Sequence, residues 1–148
     1  MFWSVTANGC VPDETAIKFD RHRVNVASVQ HAPGNLDLIT LNCPVTARFV
    51  SMITNWGILL TYRDSTGTGT SAFIRVRFYR MPIGTTIPIL LTEGNSNDLP
   101  ATGNTSAEAA FEHAFDFQSN SYWVRIDMDR STTDEIVVLH SVTLQDAI

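Results

Sequence analysis

The chain is short of charge. Only 17% of its 148 residues are Asp, Glu, Lys or Arg, against about 25% in an average globular chain. Long solvated helices and coiled coils draw on Glu and Lys, so neither is expected as the main architecture. Lysine is nearly absent: the ten basic residues are nine Arg and Lys18 alone. The net charge is −5 and no basic tail is present, so nothing favours nucleic acid as a partner. No apolar run reaches the roughly 18 residues that a membrane-spanning helix needs. The opening Met1-Phe2-Trp3-Ser4-Val5 has neither the basic nor the apolar segment of a signal peptide.

Catalytic signatures are missing as well. There is no G-x-S-x-G elbow, no H-E-x-x-H helix and no P-loop. The Gly67/Gly69 loop is Gly-rich but leads into a strand, so it lacks the helix N-terminus that holds phosphate. It reads as a flexible hairpin tip. The expectation is a protein that is not an enzyme, with no cofactor and no metal.

What is present is alternation. Short runs with a two-residue period, separated by turn residues, recur along the chain. The clearest is Ser71 to Met81, with Ile74, Val76 and Phe78 on one face and Arg75, Arg77 and Tyr79 on the other. Trp56 to Arg63 precedes it across the Gly-rich loop, and the two read as a long hairpin. Further strands are expected at 36–45, 87–92, 111–117, 121–129 and 135–144, with weaker ones at 2–6, 16–19 and 24–30. Residues 93–106 read as a polar loop, and 106–111 as a helical turn at most. The expectation is all-β: about eight to ten strands in one domain, 1–148, forming a jelly-roll-like β-sandwich.

Two cysteines, Cys10 and Cys43, each stand beside a Pro-containing turn. Bridge and free thiols both remain open at this point, with the bridge favoured. A metal site is not expected, because neither belongs to a C-x-x-C or a Cys/His cluster.

Three surfaces are candidates for function. Trp123, Arg125 and Asp127 alternate on one strand, and Arg75, Arg77 and Tyr79 on another, where the plain alternative to a binding surface is an Arg–Asp ladder on a solvent face that partly shields Trp123. Aromatic plus Arg is the composition of interface cores and of sugar-stacking platforms; Trp56 is a further stacking candidate. The last strand is apolar on both faces, with Val137 and Leu139 opposite Val138 and Val142. A solvated face should not look like that, so a loop or another subunit must cover it. Together with His113 and His140, which sit in apolar files, Val137 and Leu139 form a candidate self-association surface. The third is acidic: Asp127, Asp129, Asp134 and Glu135 ring a turn, and Glu93, Asn95, Asn97 and Asp98 fill a loop. Oxygen ligands so spaced can hold Ca²⁺, but ordinary turn chemistry explains them better.

Four segments recur together: Cys10-Val11-Pro12-Asp13, Cys43-Pro44, Leu60-Thr61-Tyr62-Arg63-Asp64 and Tyr122-Trp123-Val124-Arg125. In this combination the chain resembles a group of uncharacterised, exported bacterial β-sandwich proteins. The resemblance implies a β fold and an extracellular location, and it carries over no functional residue. The leading expectation is a non-enzymatic sandwich that self-associates, as a trimer, in a structural or surface-interaction role. The alternatives are a carbohydrate-binding module and a viral or phage capsid-like jelly roll.

Overall fold

The computed structural model describes residues 3–46 and 53–147. Phe2, the first residue of the first expected strand, lies outside them. Two antiparallel sheets face each other, with eleven strands among the described residues. The β-sandwich expected from the alternation is therefore what forms. One sheet holds β3 (His22–Asn25), β4 (Ser28–His31), β11 (Val137–Asp146), β6 (Asn55–Asp64) and β9 (Asn104–Glu112) in that order, with β1 (Trp3–Thr6) also paired to β11. The other runs β2 (Val11–Pro12), β5 (Ile39–Pro44), β10 (Asn120–Arg130), β7 (Ala72–Pro82) and β8 (Ile89–Asn95).

Period-two patterning sends Ile39, Leu41, Ile74, Val76, Phe78, Val124, Ile126 and Met128 inward from the second sheet. They meet Ile58, Leu60, Tyr62, Leu139, Val142 and Leu144 from the first. One end of this core is closed by aromatic rings. Phe115 packs edge-on against Trp56 at 4.9 Å and lies 4.8 Å from Tyr122, with Phe117 stacked on it at 5.6 Å.

Several expectations are corrected. Residues 16–19 are not a strand. They belong to a short helix, α1 (Glu14–Lys18), and its cap. The Asp13 carboxylate accepts the Ala16 N–H at 2.7 Å, and this N-cap outweighs the alternation. Residues 24–30 form a hairpin, β3 to β4, folded at Val26, whose φ is +54°. The stretch 106–111 is strand, not a helical turn, and β9 takes up the end of the supposed polar loop.

The two strongest strands do not pair with each other. β6 pairs with β11 and β9, whereas β7 pairs with β10 and β8. The segment between them is an arch from one sheet to the other. Nor is it a loose tip. Thr66 donates from its backbone and hydroxyl to the buried Asp64 carboxylate, at 2.9 and 2.8 Å. Gly67 is buried, with φ +55°, and a Cβ there would stand 2.8 Å from the Pro100 carbonyl oxygen. Ser96 hydrogen-bonds both Asp64 and the Ile74 N–H, tying the arch to the turn after β8.

Cys10 and Cys43 are bridged, and both are buried. The bond joins the turn before β2 to the end of β5. Its closure of the intervening segment contributes roughly 3–4 kcal/mol on the loop-entropy account. Replacing both cysteines by alanine is therefore expected to lower the unfolding free energy by about that amount. Urea denaturation followed by far-UV circular dichroism measures it, and a loss under about 1 kcal/mol would contradict the account.

Candidate functional site

The outer face of the five-stranded sheet carries the candidate site. Register places its side chains in rows. Trp123 stands between Pro44 of β5 and Tyr79 of β7, with Leu90 beyond. The next row is Asn42, Arg125, Arg77 and Glu93; the third is Thr40, Asp127, Arg75 and Asn95. The sequence candidates Trp123, Arg125, Tyr79 and Arg77 thus share one face, in adjacent rows.

Tyr79 and Trp123 stack on each other, centroids 5.4 Å apart and planes 21° from parallel. Both are half-buried. Each ring has two faces and the stack occupies one of each. A cross-strand aromatic pair also stabilises the sheet.

Below them lies Asp127, fully buried although it points away from the core. A desolvated carboxylate needs partners, and it has four. Thr40 donates at 2.8 Å, Arg125 Nε at 3.2 Å and Arg75 Nη2 at 3.4 Å, while Arg77 Nη1 lies 3.9 Å away. Arg77 also faces Glu93, 3.6 Å from its Nε. The Arg–Asp ladder weighed for this face from the sequence is what pairs Asp127, whose full burial the sequence does not show. The alternation of Asp127 with Arg125, opposite Arg75 and Arg77, is the available signal.

The acidic candidates do not converge on a cation. Glu135 accepts the N–H groups of Ser131 and Thr132 at 2.9 and 2.7 Å and a hydrogen bond from Ser71, and the Ser71 bond leads in holding its pKa below the ordinary range. Asp127 is spent on guanidiniums. Burial pushes Asp129 up. In the other group Glu93 faces Arg77 and Asn95 caps the Asn97 N–H.

The self-association candidates are also separated. Val137 and Leu139 are buried in the chain's own core, 2% and 0% exposed. A β-bulge between Leu139 and Ser141 is the reason: His140 is the extra residue. Before the bulge the odd residues face inward; after it Val142 and Leu144 do. The bulge changes the phase of the inward face, so Val137, Leu139, Val142 and Leu144 all point into the core, while Val138, on the other side, is 9% exposed. His140 reaches Asn104, at the start of β9. His113 follows the other end, bonded to the Tyr122 hydroxyl at 3.0 Å, and burial followed by the Arg80 charge lowers its pKa. Trp56 is a core residue, 1% exposed, donating to the Ile53 carbonyl.

No family model matches the sequence, and no curated protein matches it either. Solved structures do match. A xylan-binding module of family 15 aligns over 99% of both chains, at 15% identity and a TM-score of 0.51. In fold, the chain is similar to a xylan-binding module. A family 36 carbohydrate-binding domain of a multidomain xylanase, from the hindgut metagenome of Trinervitermes trinervoides, aligns over 100% of this chain and 99% of its own, at 10% identity and a TM-score of 0.44. A family two carbohydrate esterase from Cellvibrio japonicus aligns over 99% of this chain at 14% identity and a TM-score of 0.42. The chain spans about a third of that esterase's length, 34%. At 15% identity the likeness to the xylan-binding module is one of fold alone, and it agrees with the jelly-roll-like sandwich expected from the sequence.

A cavity lies between the sheets. It has a volume of about 310 Å³, walled by Ile58, Leu60, Ile74, Val76, Ala107 and Ala109. Short side chains on β9 create it. Its walls are mostly apolar, whereas the outer platform offers both rings and donors.

Asp127→Ala would leave three guanidiniums facing one another over a vacated site. The expected cost is about 2–3 kcal/mol of stability, since breaking a paired buried charge is more damaging than losing an exposed pair. Urea titration checks this. A variant as stable as the parent would show that the cluster contributes nothing.

Proposed function

We propose that the chain is a non-catalytic, carbohydrate-binding β-sandwich of an exported protein. The observation that carries this reading is the stacked Tyr79–Trp123 pair, half-buried on an open sheet face beside the guanidiniums of Arg77 and Arg125. A pyranose presents a face of polarised C–H groups, which complements the negative face of an aromatic ring. The guanidinium forks donate to ring and hydroxyl oxygens alongside. Rings anchored in the sheet lose little freedom on binding, which favours affinity. The buried disulfide supports export, because such bonds persist in oxidising compartments.

Affinity electrophoresis through gels containing xylan, β-glucan, galactan or mannan tests the reading. The protein should be retarded by at least one polymer. Trp123→Ala should weaken that interaction by about 2 kcal/mol, roughly 30-fold in Kd, as for an aromatic anchor. Its circular dichroism should stay unchanged. No retardation by any polymer, or an unaffected variant, would refute it.

Self-association retains one favouring observation, at a different place from the one expected. The connection from β7 to β8 and the start of β8 expose Ile83, Ile87, Ile89 and Leu90, at 67%, 74%, 39% and 46%. Leu90 is the register partner of Tyr79, so this apolar patch adjoins the platform. Contiguous exposed apolar surface marks interaction sites. On this second reading, light scattering on a sizing column gives a mass above 16.4 kDa, which returns to the monomer in Ile83→Ser/Ile87→Ser. A monomer at all concentrations removes the reading.

A further inference from the structure

The charge of the platform points beyond glycans in general. Resting on the carbohydrate-binding reading, we propose that the face selects polysaccharides bearing carboxylates, that is, uronic-acid units.

The whole chain is acidic, with a net charge of −5. The platform is not. Arg75, Arg77 and Arg125 stand against two carboxylates, Asp127 and Glu93. The positions of these charges matter more than their balance. Asp127 has no exposed surface, whereas the side chains of Arg75, Arg77 and Arg125 are 34%, 23% and 40% exposed. At the centre of the platform a ligand arriving from solvent meets Arg75 and Arg125 with Asp127 behind them, while beside Arg77 the Glu93 carboxylate is 59% exposed. Glu93 lies to one side, on the edge strand β8.

The guanidiniums also have capacity left. Each carries five N–H donors. Arg125 and Arg75 each give Asp127 one hydrogen bond, at 3.2 and 3.4 Å, and Arg77 approaches to 3.9 Å, so neither hydrogen bond is the bidentate fork-to-carboxylate kind. The hydrogen bond from Arg125 to Asp127 comes from Nε, so its Nη groups are the ones that can take an incoming carboxylate. Arg125 and Arg77 are directly paired across β10 and β7, one row from Trp123 and Tyr79. A sugar stacked on either ring lies one row from the two arginines, within reach of their long side chains. The Tyr79 and Trp123 rings supply the stacking common to all glycans, and the arginines supply the discrimination.

Matched polymers test this: glucuronoxylan against the same polymer with its carboxylates reduced to hydroxymethyl groups, and polygalacturonate against its methyl ester. At about 20 mM salt the acidic member of at least one pair should bind roughly three- to tenfold more tightly, as for one charge-assisted fork at a partly exposed site. The gap should close in about 0.5 M salt, where such charges are screened. Arg125→Gln should lose more affinity for the acidic polymer than for its neutral partner. Arg125→Lys, which keeps the cation over Asp127 and so protects the fold, should lose part of the same gap. Equal affinities within both pairs would overturn the inference while leaving glycan binding intact. So would arginine variants that weaken both members alike. Failure to bind any polymer, acidic or neutral, would overturn the inference together with the reading beneath it.

Discussion

A carboxylate with no exposed surface, on the solvent side of a sheet, fixes much of this molecule. Asp127 must be paired, because an isolated buried charge is intolerable. Its partners come from three strands: Thr40 on β5, Arg125 on its own β10, and Arg75 with Arg77 on β7. A one-residue slip of β10 would drive Asp127 into the core and Ile126 out of it. Apolar burial and the ion cluster therefore demand the same register. That register is also what sets Trp123 beside Tyr79 and Arg125 beside Arg77.

The site is built on this constraint. Guanidiniums drawn toward a buried anion lie along the sheet instead of ranging into solvent. The two rings in the neighbouring row are steadied by stacking on each other. Both are features of a preorganised surface, which gives up less entropy when a ligand arrives. The arch after β6, held by Asp64 and Ser96, and the Cys10–Cys43 bridge do comparable work at two other places in the sandwich.

Much of this is legible in the residues. Ser71–Met81 and Ser121–Asp129 each alternate cleanly, so the period of two alone assigns their inner and outer files. The four platform residues follow from those files. What alternation does not contain is pairing. Trp56–Arg63 and Ser71–Met81 flank a short Gly-rich loop, yet they enter different sheets, because each file fits its apolar face equally well against other strands. The bulge at His140 is hidden for a related reason: one inserted residue reverses the phase, and a strand with a reversed phase imitates one buried on both faces. At Ala16–Phe19 a local hydrogen bond to Asp13 overrules the pattern. On β9 the small residues Ala107, Ala109 and Ala110 give too faint an apolar signal to be read as strand.

On the proposed reading, ligand binds the outer face of the five-stranded sheet through the Tyr79–Trp123 row. The most direct measurement is amide chemical-shift mapping by two-dimensional NMR during titration with an oligosaccharide from the polymer that binds. The account predicts shifts concentrated at Tyr79, Trp123, Arg77 and Arg125 and their neighbours on β5, β7 and β10. Shifts confined to the cavity between the sheets, around Ile58, Val76 and Ala109, would contradict it.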